Sequence, residues 1–142
     1  MTVEFNHTVV FAKDEEASAR WLADILGLPE PASFGPFKAV EMGAVHLDYV
    51  AFDGEFPTQH FSFLVSENSF DEIFARIKER GMTYWGDPFR RHPWEINTGD
   101  GGRSIYFDDP NGHDLEIQTT PYVFIPGALI RGRDDQGRRL EE

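Results

Sequence analysis

The sequence contains no cysteine. Disulfide bonds and thiolate metal sites are therefore excluded. Any metal that the chain binds must take its ligands from histidine and carboxylate side chains. That donor set favours Fe(II), Mn, Ni, Co or Zn.

The sequence is also poor in basic residues and in long apolar runs. Thirteen Lys and Arg residues against 25 Asp and Glu residues give a formal net charge of -12. This charge disfavours a nucleic-acid backbone or an anionic membrane surface as the main partner. No window approaches the roughly 20 apolar residues of a membrane span, and Met1–His7 has neither the basic nor the apolar segment of a signal peptide. We therefore expect a cytoplasmic protein with a small-molecule substrate, no nucleic-acid partner and no membrane partner.

The first half of the chain is predicted to form one strand, one helix and two or three further strands. The apolar pattern and turn residues predict strands at Phe5–Ala12, Phe37–Glu41 and Ala44–Phe52, and a helix between its N-cap Asp14 and Gly27.

The second half repeats this order. Its predicted elements are a strand at Gln59–Val65, a helix that Glu67, Asn68 or Ser69 caps and Gly81 ends, and strands at Thr83–Trp85, Glu95–Asn97, Ser104–Asp108 and Leu115–Thr119. His7 and His60, near the start of equivalent strands, are 53 residues apart, and the two helix-ending glycines are 54 apart. This near-constant offset indicates an internal duplication of a β-α-β-β-β module. We expect one α+β domain over residues 1–125, with modules at about 3–53 and 57–121, and a polar tail at 126–142.

Glu116 is the main candidate for a functional residue. It alternates with Leu115 and Ile117 in a short strand, so these apolar neighbours enter a core while Glu116 faces the other side. If that side is also enclosed, the carboxylate needs a cation or a hydrogen-bonding partner, because an unpaired buried charge is very costly. The repeat supplies His7 and His60 as candidates.

With two such modules, a histidine at the start of each and Glu116 in the last strand, the chain resembles the vicinal oxygen chelate superfamily. This group includes glyoxalase I, bleomycin- and fosfomycin-resistance proteins and extradiol dioxygenases. The resemblance covers about Thr2–Tyr122, and Gly101–Glu116 is its most specific stretch. It implies two modules that form an open, curved mixed sheet around a central pocket, with the helices outside. It also implies a divalent metal held by His7, His60 and Glu116, and a homodimer.

Two imidazoles and one carboxylate on one concave sheet would leave coordination positions open for water, substrate or O2. We therefore predict a metal-dependent enzyme that acts on a small molecule with vicinal oxygens, by dioxygenase or by lyase and isomerase chemistry. The metal is expected to be Fe, Mn, Ni or Zn. The alternative is a metal-free protein that sequesters a small molecule, as bleomycin-resistance proteins do.

His46 and Tyr106 are the candidate catalytic residues. Val45–Leu47 takes the place of Leu115–Ile117 in the repeat, which makes His46 the predicted counterpart of Glu116, where glyoxalase I has a glutamate. His46 is then a fourth metal ligand, an acid/base or an inert surface residue. Tyr106 is either a hydrogen-bond donor to a developing oxyanion or a core tyrosine.

Substrate contacts are predicted for Asn97, Arg90 and Trp94. Asn97 lies on a strand across from this region and can orient substrate. Arg90 and Trp94 belong to Phe89–Trp94, which is either a lid whose arginines bind an anionic substrate or a solvated loop. His113 belongs to the turn before the last strand and is predicted to be structural.

Overall fold

The computed structural model describes residues 2–99 and 101–121. Its elements in chain order are β1 (His7–Ala12), α1 (Glu15–Leu26), β2 (Ala32–Phe34), β3 (Phe37–Met42), β4 (Val45–Ala51), β5 (His60–Leu64), α2 (Glu67–Glu79), β6 (Ser104–Asp108) and β7 (Asp114–Gln118). The strands form a four-stranded sheet in the order β1-β4-β3-β2 and a three-stranded sheet in the order β5-β7-β6. The predicted α+β class is confirmed. The predicted polar tail at 126–142 lies outside the described residues.

The chain divides into two compact units. The first unit comprises the residues up to His60 together with Asp108–Asp114, and the second comprises Phe61–Phe107 together with the described residues from Leu115 onward. The turn that precedes the strand of Glu116 therefore belongs to the first unit. Neither of the two helices in the described part of the chain is long and apolar enough to cross a membrane.

The ends of α1 confirm the prediction from sequence. The Asp14 carboxylate accepts a hydrogen bond from the backbone N–H of Ala17 at 3.0 Å, which satisfies a donor that has no partner within the helix. Gly27 follows the last turn with φ of 72°, a left-handed conformation that glycine adopts without steric cost.

In the first unit, α1 packs against β1, β3 and β4, and so covers one face of the four-stranded sheet. The alternation along β1 shows which face is covered. Val10 and Ala12 are fully buried, whereas Val9 is 40% and Phe11 39% exposed. Because alternate residues of a strand share a face, His7 lies on the open face with Val9 and Phe11.

The N-cap of α2 differs from the prediction. It is Ser66, whose Oγ accepts a hydrogen bond from the backbone N–H of Ser69 at 3.1 Å. The prediction of Glu67, Asn68 or Ser69 is wrong, because Ser66 keeps the extended backbone that lets its hydroxyl reach the N–H three residues on. The buried face of the helix consists of apolar residues at helical spacing, namely Phe70, Ile73 and Ile77.

The segments predicted as strands at Thr83–Trp85 and Glu95–Asn97 are not strands in the structure. They contribute only isolated bridges, from Trp85 to Tyr106 and to Pro93, and from Asn97 to Ser104. The second half therefore departs from the predicted β-α-β-β-β pattern and keeps three strands around α2 within the described ranges.

The loop between these segments is held by hydrogen bonds to one carboxylate. The Asp87 carboxylate accepts hydrogen bonds from the backbone N–H groups of Phe89, Arg91 and His92, at 3.1, 2.9 and 2.8 Å. Desolvation tends to raise the pKa of Asp87, but the three N–H donors outweigh it and hold the pKa below its ordinary value.

The turn before β7 contacts the rest of the first unit through His113, which is fully buried. Its Nδ1 accepts a hydrogen bond from the backbone N–H of Gln59 at 3.0 Å, so the neutral ring carries its proton on Nε2. That Nε2–H donates to the carbonyl of Phe11 at 2.8 Å. Both ring nitrogens thus serve the fold, in keeping with the structural role that the turn predicts.

Candidate metal centre

The first unit brings together three side chains that can hold a metal. β1 pairs in parallel with β4 in a register that places His7 opposite His46. Their imidazole rings stack with centroids 4.9 Å apart and planes 4° from parallel. His46 Nδ1 donates to Asp48 Oδ1 at 2.5 Å. One ligand atom from each of His7, His46 and Asp48 lies within 4.8 Å of the other two.

The backbone hydrogen bonds correct the predicted equivalence between His46 and Glu116. In the first half, His46 N donates to Asn6 O at 3.0 Å; in the second, Asp114 N donates to Gln59 O at 2.9 Å. In a parallel pair, this bond places the donor residue opposite the residue that follows the acceptor. His46 therefore lies opposite His7, and Asp114 lies opposite His60. The first-half residue that corresponds to Asp114 is thus His46.

The same correction identifies Asp48 as the first-half counterpart of Glu116. Each lies two residues beyond the residue that faces the histidine, and both are buried, with 3% and 0% exposure. The register differs from the prediction by two residues, so the face is unchanged. Sequence reasoning missed Asp48, although aligning residues 45–49 with 113–117 pairs the two leucines and the two carboxylates.

His60 is the first residue of β5 and is exposed. Its Nδ1 donates to the carbonyl oxygen of Asp114 at 3.0 Å and lies 3.1 Å from Asp114 Oδ2. A hydrogen bond of this kind fixes the ring and leaves the lone pair of the neutral imidazole on Nε2, the arrangement common among metal-ligating histidines. Asp114, which sequence reasoning did not single out, is therefore the residue that orients His60.

Glu116 lies on the central strand of the three-stranded sheet and is fully buried. The bond from Thr119 N to Arg103 O at 2.9 Å sets the antiparallel register of β6 and β7, in which Tyr106 faces Glu116. Side chains of directly opposed residues on a sheet are neighbours. The predicted hydrogen-bond donor and the predicted carboxylate ligand are therefore adjacent in the second unit.

Glu116 and Tyr106 lie side by side on neighbouring strands, and Trp85 continues this row beyond Tyr106. It bridges Tyr106 in antiparallel fashion, and the guanidinium carbon of Arg90 lies 4.5 Å from the centre of its ring. Arg90 has φ of 61°, a conformation that few residues other than glycine adopt. The bonds that Asp87 accepts from the same loop hold this backbone in place. Sequence reasoning selected Arg90 but missed Trp85, whose position depends on the bridge to β6.

Asn97 and Trp94 contact other residues of the same loop region. The Asn97 amide donates to Gly86 O at 3.1 Å, and its side-chain oxygen accepts from Gly99 N at 2.9 Å. Trp94 is 60% exposed and meets the ring of Tyr84 edge to face at 5.6 Å. A cavity of about 250 Å³ beside this loop is lined by Gly86, His92, Glu95, Ile96, Asn97 and Thr98.

These residues suit a divalent first-row metal. The donors are imidazoles and buried or oriented carboxylates, and one imidazole in each half donates through Nδ1 to an aspartate, so that its Nε2 can bind. The combination of His7, His60 and Glu116 draws on both units and stays a prediction.

Residues 4–117 match the model of the Glyoxalase/Bleomycin resistance protein/Dioxygenase superfamily. The chain belongs to this superfamily. It is 58% identical to a solved structure named Oxidase ChaP-H2, with a TM-score of 0.83, covering 86% of this chain and 97% of that one. It is 55% identical to Oxidase ChaP-H1, also with a TM-score of 0.83, covering 84% of this chain and 98% of that one. A glutathione transferase, FosA of Serratia marcescens, is 28% identical over 124 residues, which are 82% of this chain and 81% of that protein.

Proposed function

We propose that the protein is a metal-dependent enzyme that oxidises a small molecule bearing vicinal oxygens. The observation that carries this proposal is the 55% and 58% identity, over almost the whole length of the relatives, to two proteins named oxidases. Of the chemistries that the sequence leaves open, this similarity favours oxidation over lyase or isomerase chemistry.

The metal ligands in this proposal are His7, His60 and Glu116, the set that the resemblance implies. Bound there, Fe, Mn, Ni or Zn would act as a Lewis acid on the vicinal oxygens, and Fe or Mn would also allow reaction with O2. The burial of Glu116 and the bond that orients His60 support this choice. A carboxylate taken out of water is held most readily when a cation neutralises it.

Tyr106 is proposed to donate a hydrogen bond to the substrate oxygen that gains charge during the reaction. Its position opposite Glu116 supports this role, because it would place the phenol beside an oxygen that the metal binds. A preorganised donor in a site that excludes water stabilises developing negative charge. Tyr106 is only 7% exposed, which limits competition from water.

Arg90 and Trp85 are proposed to bind the substrate. Arg90→Ala is expected to raise KM about 5- to 30-fold with little change in kcat, because the guanidinium and its cation–π partner hold the substrate equally in the ground and transition states. Steady-state kinetics against the substrate found in the screen below measures both constants. Arg91→Ala is the matched control, since Arg91 stacks over Phe89 instead, at 5.5 Å. Equal KM values for the parent and the Arg90→Ala variant would remove Arg90 from the substrate site.

Elemental analysis of protein purified without chelators, followed by O2-consumption assays against a panel of catechols, tests the proposed function. We expect retained first-row metal and O2 uptake that stops when a chelator removes the metal. Protein that retains no metal and binds a small molecule equally well before and after His7→Ala would instead support the sequestering protein. The same preparation, run by size-exclusion chromatography with light scattering, tests the predicted homodimer.

A further inference from the structure

Gln118, the last residue of β7, carries a buried hydrogen-bond acceptor that the proposed function does not use. We propose that Gln118 is a specificity-determining residue, whose side-chain oxygen accepts a hydrogen bond from a hydroxyl group of the substrate. This hydroxyl is a further group, separate from the two vicinal oxygens. The inference rests on the proposed function and narrows its substrate class to molecules that carry such a hydroxyl.

The side-chain amide of Gln118 is held at its nitrogen and unpaired at its oxygen. The residue is only 6% exposed. Its Nε2 donates to Ser62 Oγ at 2.9 Å, which fixes the position of the amide. Among the residues that the structure describes, none donates a hydrogen bond to its Oε1. Buried side-chain oxygens nearly always have a donor, because their lost hydration is otherwise not offset. The missing donor is therefore expected from a bound molecule.

The position of Gln118 on its strand places this acceptor beside the proposed metal site. Alternate residues of a strand share a face, so Gln118 lies on the same face as Glu116. Two residues of an extended strand span about 6.6 Å. A short substituent on a molecule whose vicinal oxygens are bound at Glu116 covers that distance.

Strand β5 leaves this face open to a small molecule. Val65 N donates to Gln118 O at 2.9 Å. In a parallel pair, that bond places Gln118 opposite Leu64, and Glu116 opposite Ser62. Ser62 and Leu64 are both exposed, and β5 is at the end of the three-stranded sheet. The side chains next to the carboxylate and the amide therefore border solvent.

The chemistry of the acceptor favours a hydroxyl as its partner. An amide oxygen is neutral, so it does not compensate for the charge of a buried ammonium group. A hydroxyl donates one hydrogen bond without bringing a charge. A substrate analogue without the hydroxyl leaves the buried oxygen unpaired, and a site of this kind discriminates strongly against such an analogue.

Calorimetry under anaerobic conditions with the full-length protein loaded with Zn(II) tests the proposal. The two probes are 4-(2-hydroxyethyl)catechol and 4-ethylcatechol, which differ by one hydroxyl. We expect the parent to bind the hydroxyl compound about 5- to 30-fold more tightly. Gln118→Met keeps the length of the side chain and removes the acceptor. It is expected to reduce the ratio of the two dissociation constants to less than about 2-fold, with little change for 4-ethylcatechol.

Two further variants separate recognition from structure. Ser62→Ala, at an exposed position, keeps the acceptor but releases the amide, so an intermediate ratio is expected. Gln59→Met makes the same chemical change outside β5 and β7 and should leave the ratio as in the parent. The melting temperature of metal-free Gln118→Met should equal or exceed that of the parent, because the variant removes an unpaired buried acceptor. A fall of several degrees would identify a structural amide and overturn the proposal.

The binding data also overturn the inference if the parent binds both catechols equally or binds neither. The same holds if Gln118→Met keeps the preference for the hydroxyl compound. Failure of the proposed function appears separately, as 4-ethylcatechol binding that is unchanged when a chelator removes the metal, or as an absence of O2 uptake by the parent loaded with Fe or Mn. A preference that depends on Gln118 would still support the inferred hydroxyl contact in that case.

Discussion

Glu116→Gln is expected to lower metal affinity by at least about 100-fold and to abolish metal-dependent O2 uptake. Glutamine has nearly the same shape, so the fully buried position stays filled, but the neutral amide no longer offsets the charge of the ion. Changes to groups that only support a ligand cost about 10- to 100-fold, and loss of the ligand itself should cost at least as much. Metal content after dialysis, together with oxygen-electrode rates at saturating metal, measures the two effects.

Glu79→Gln is the control for this substitution, because it makes the same chemical change at an exposed residue at the end of α2. It should bind metal and consume O2 like the parent. If Glu116→Gln kept both properties, Glu116 would be a buried core carboxylate and not a ligand.

His113→Ala is expected to lower the free energy of unfolding by about 3–5 kcal/mol. The substitution leaves a cavity where a fully buried ring stacked on Phe56 at 5.7 Å. It also removes the partners of the Gln59 N–H and the Phe11 carbonyl, and each buried polar group left without a partner costs about 1–3 kcal/mol. Urea denaturation monitored by tryptophan fluorescence measures the change.

Two graded variants separate the hydrogen bonds of His113. Asn at this position can replace the acceptor for Gln59, and Gln can replace the donor to Phe11, so each should recover part of the lost stability. His92→Ala, at a position with an exposed side chain, should change the free energy of unfolding by less than about 0.5 kcal/mol. A denaturation midpoint of His113→Ala equal to that of the parent would show that the turn holds without this ring.

Much of the local structure could be predicted from the chain because its causes are local. Asp14 and Gly27 bound α1 through contacts within a few residues, and the alternation around Glu116 places Leu115 and Ile117 in the core, as the strand period predicts. The 53-residue spacing of His7 and His60 was sufficient to predict a duplicated module. The absence of cysteine was sufficient to limit the metal donors to histidine and carboxylate side chains.

Errors arose where a distant hydrogen bond decides the outcome. Asp48, and not His46, corresponds to Glu116, because the bonds from His46 to Asn6 and from Asp114 to Gln59 set the register across sequence separations of about 40 to 55 residues. The segments around Trp85 and Asn97 have strand-like patterns, yet they pair with β6 only through single bridges, to Tyr106 and Ser104.

The sequence alone was sufficient for the family resemblance and the α+β class, it limited any metal donors to histidine and carboxylate, and it led to the prediction of His7, His60 and Glu116 as metal ligands. The tertiary structure decided which side chains are neighbours: His46 and Asp48 with His7, Asp114 with His60, and Tyr106 and Trp85 in one row with Glu116. The physical reason is that strand period sets the face on which a residue lies, whereas pairing between strands distant in sequence sets which residue it meets on that face.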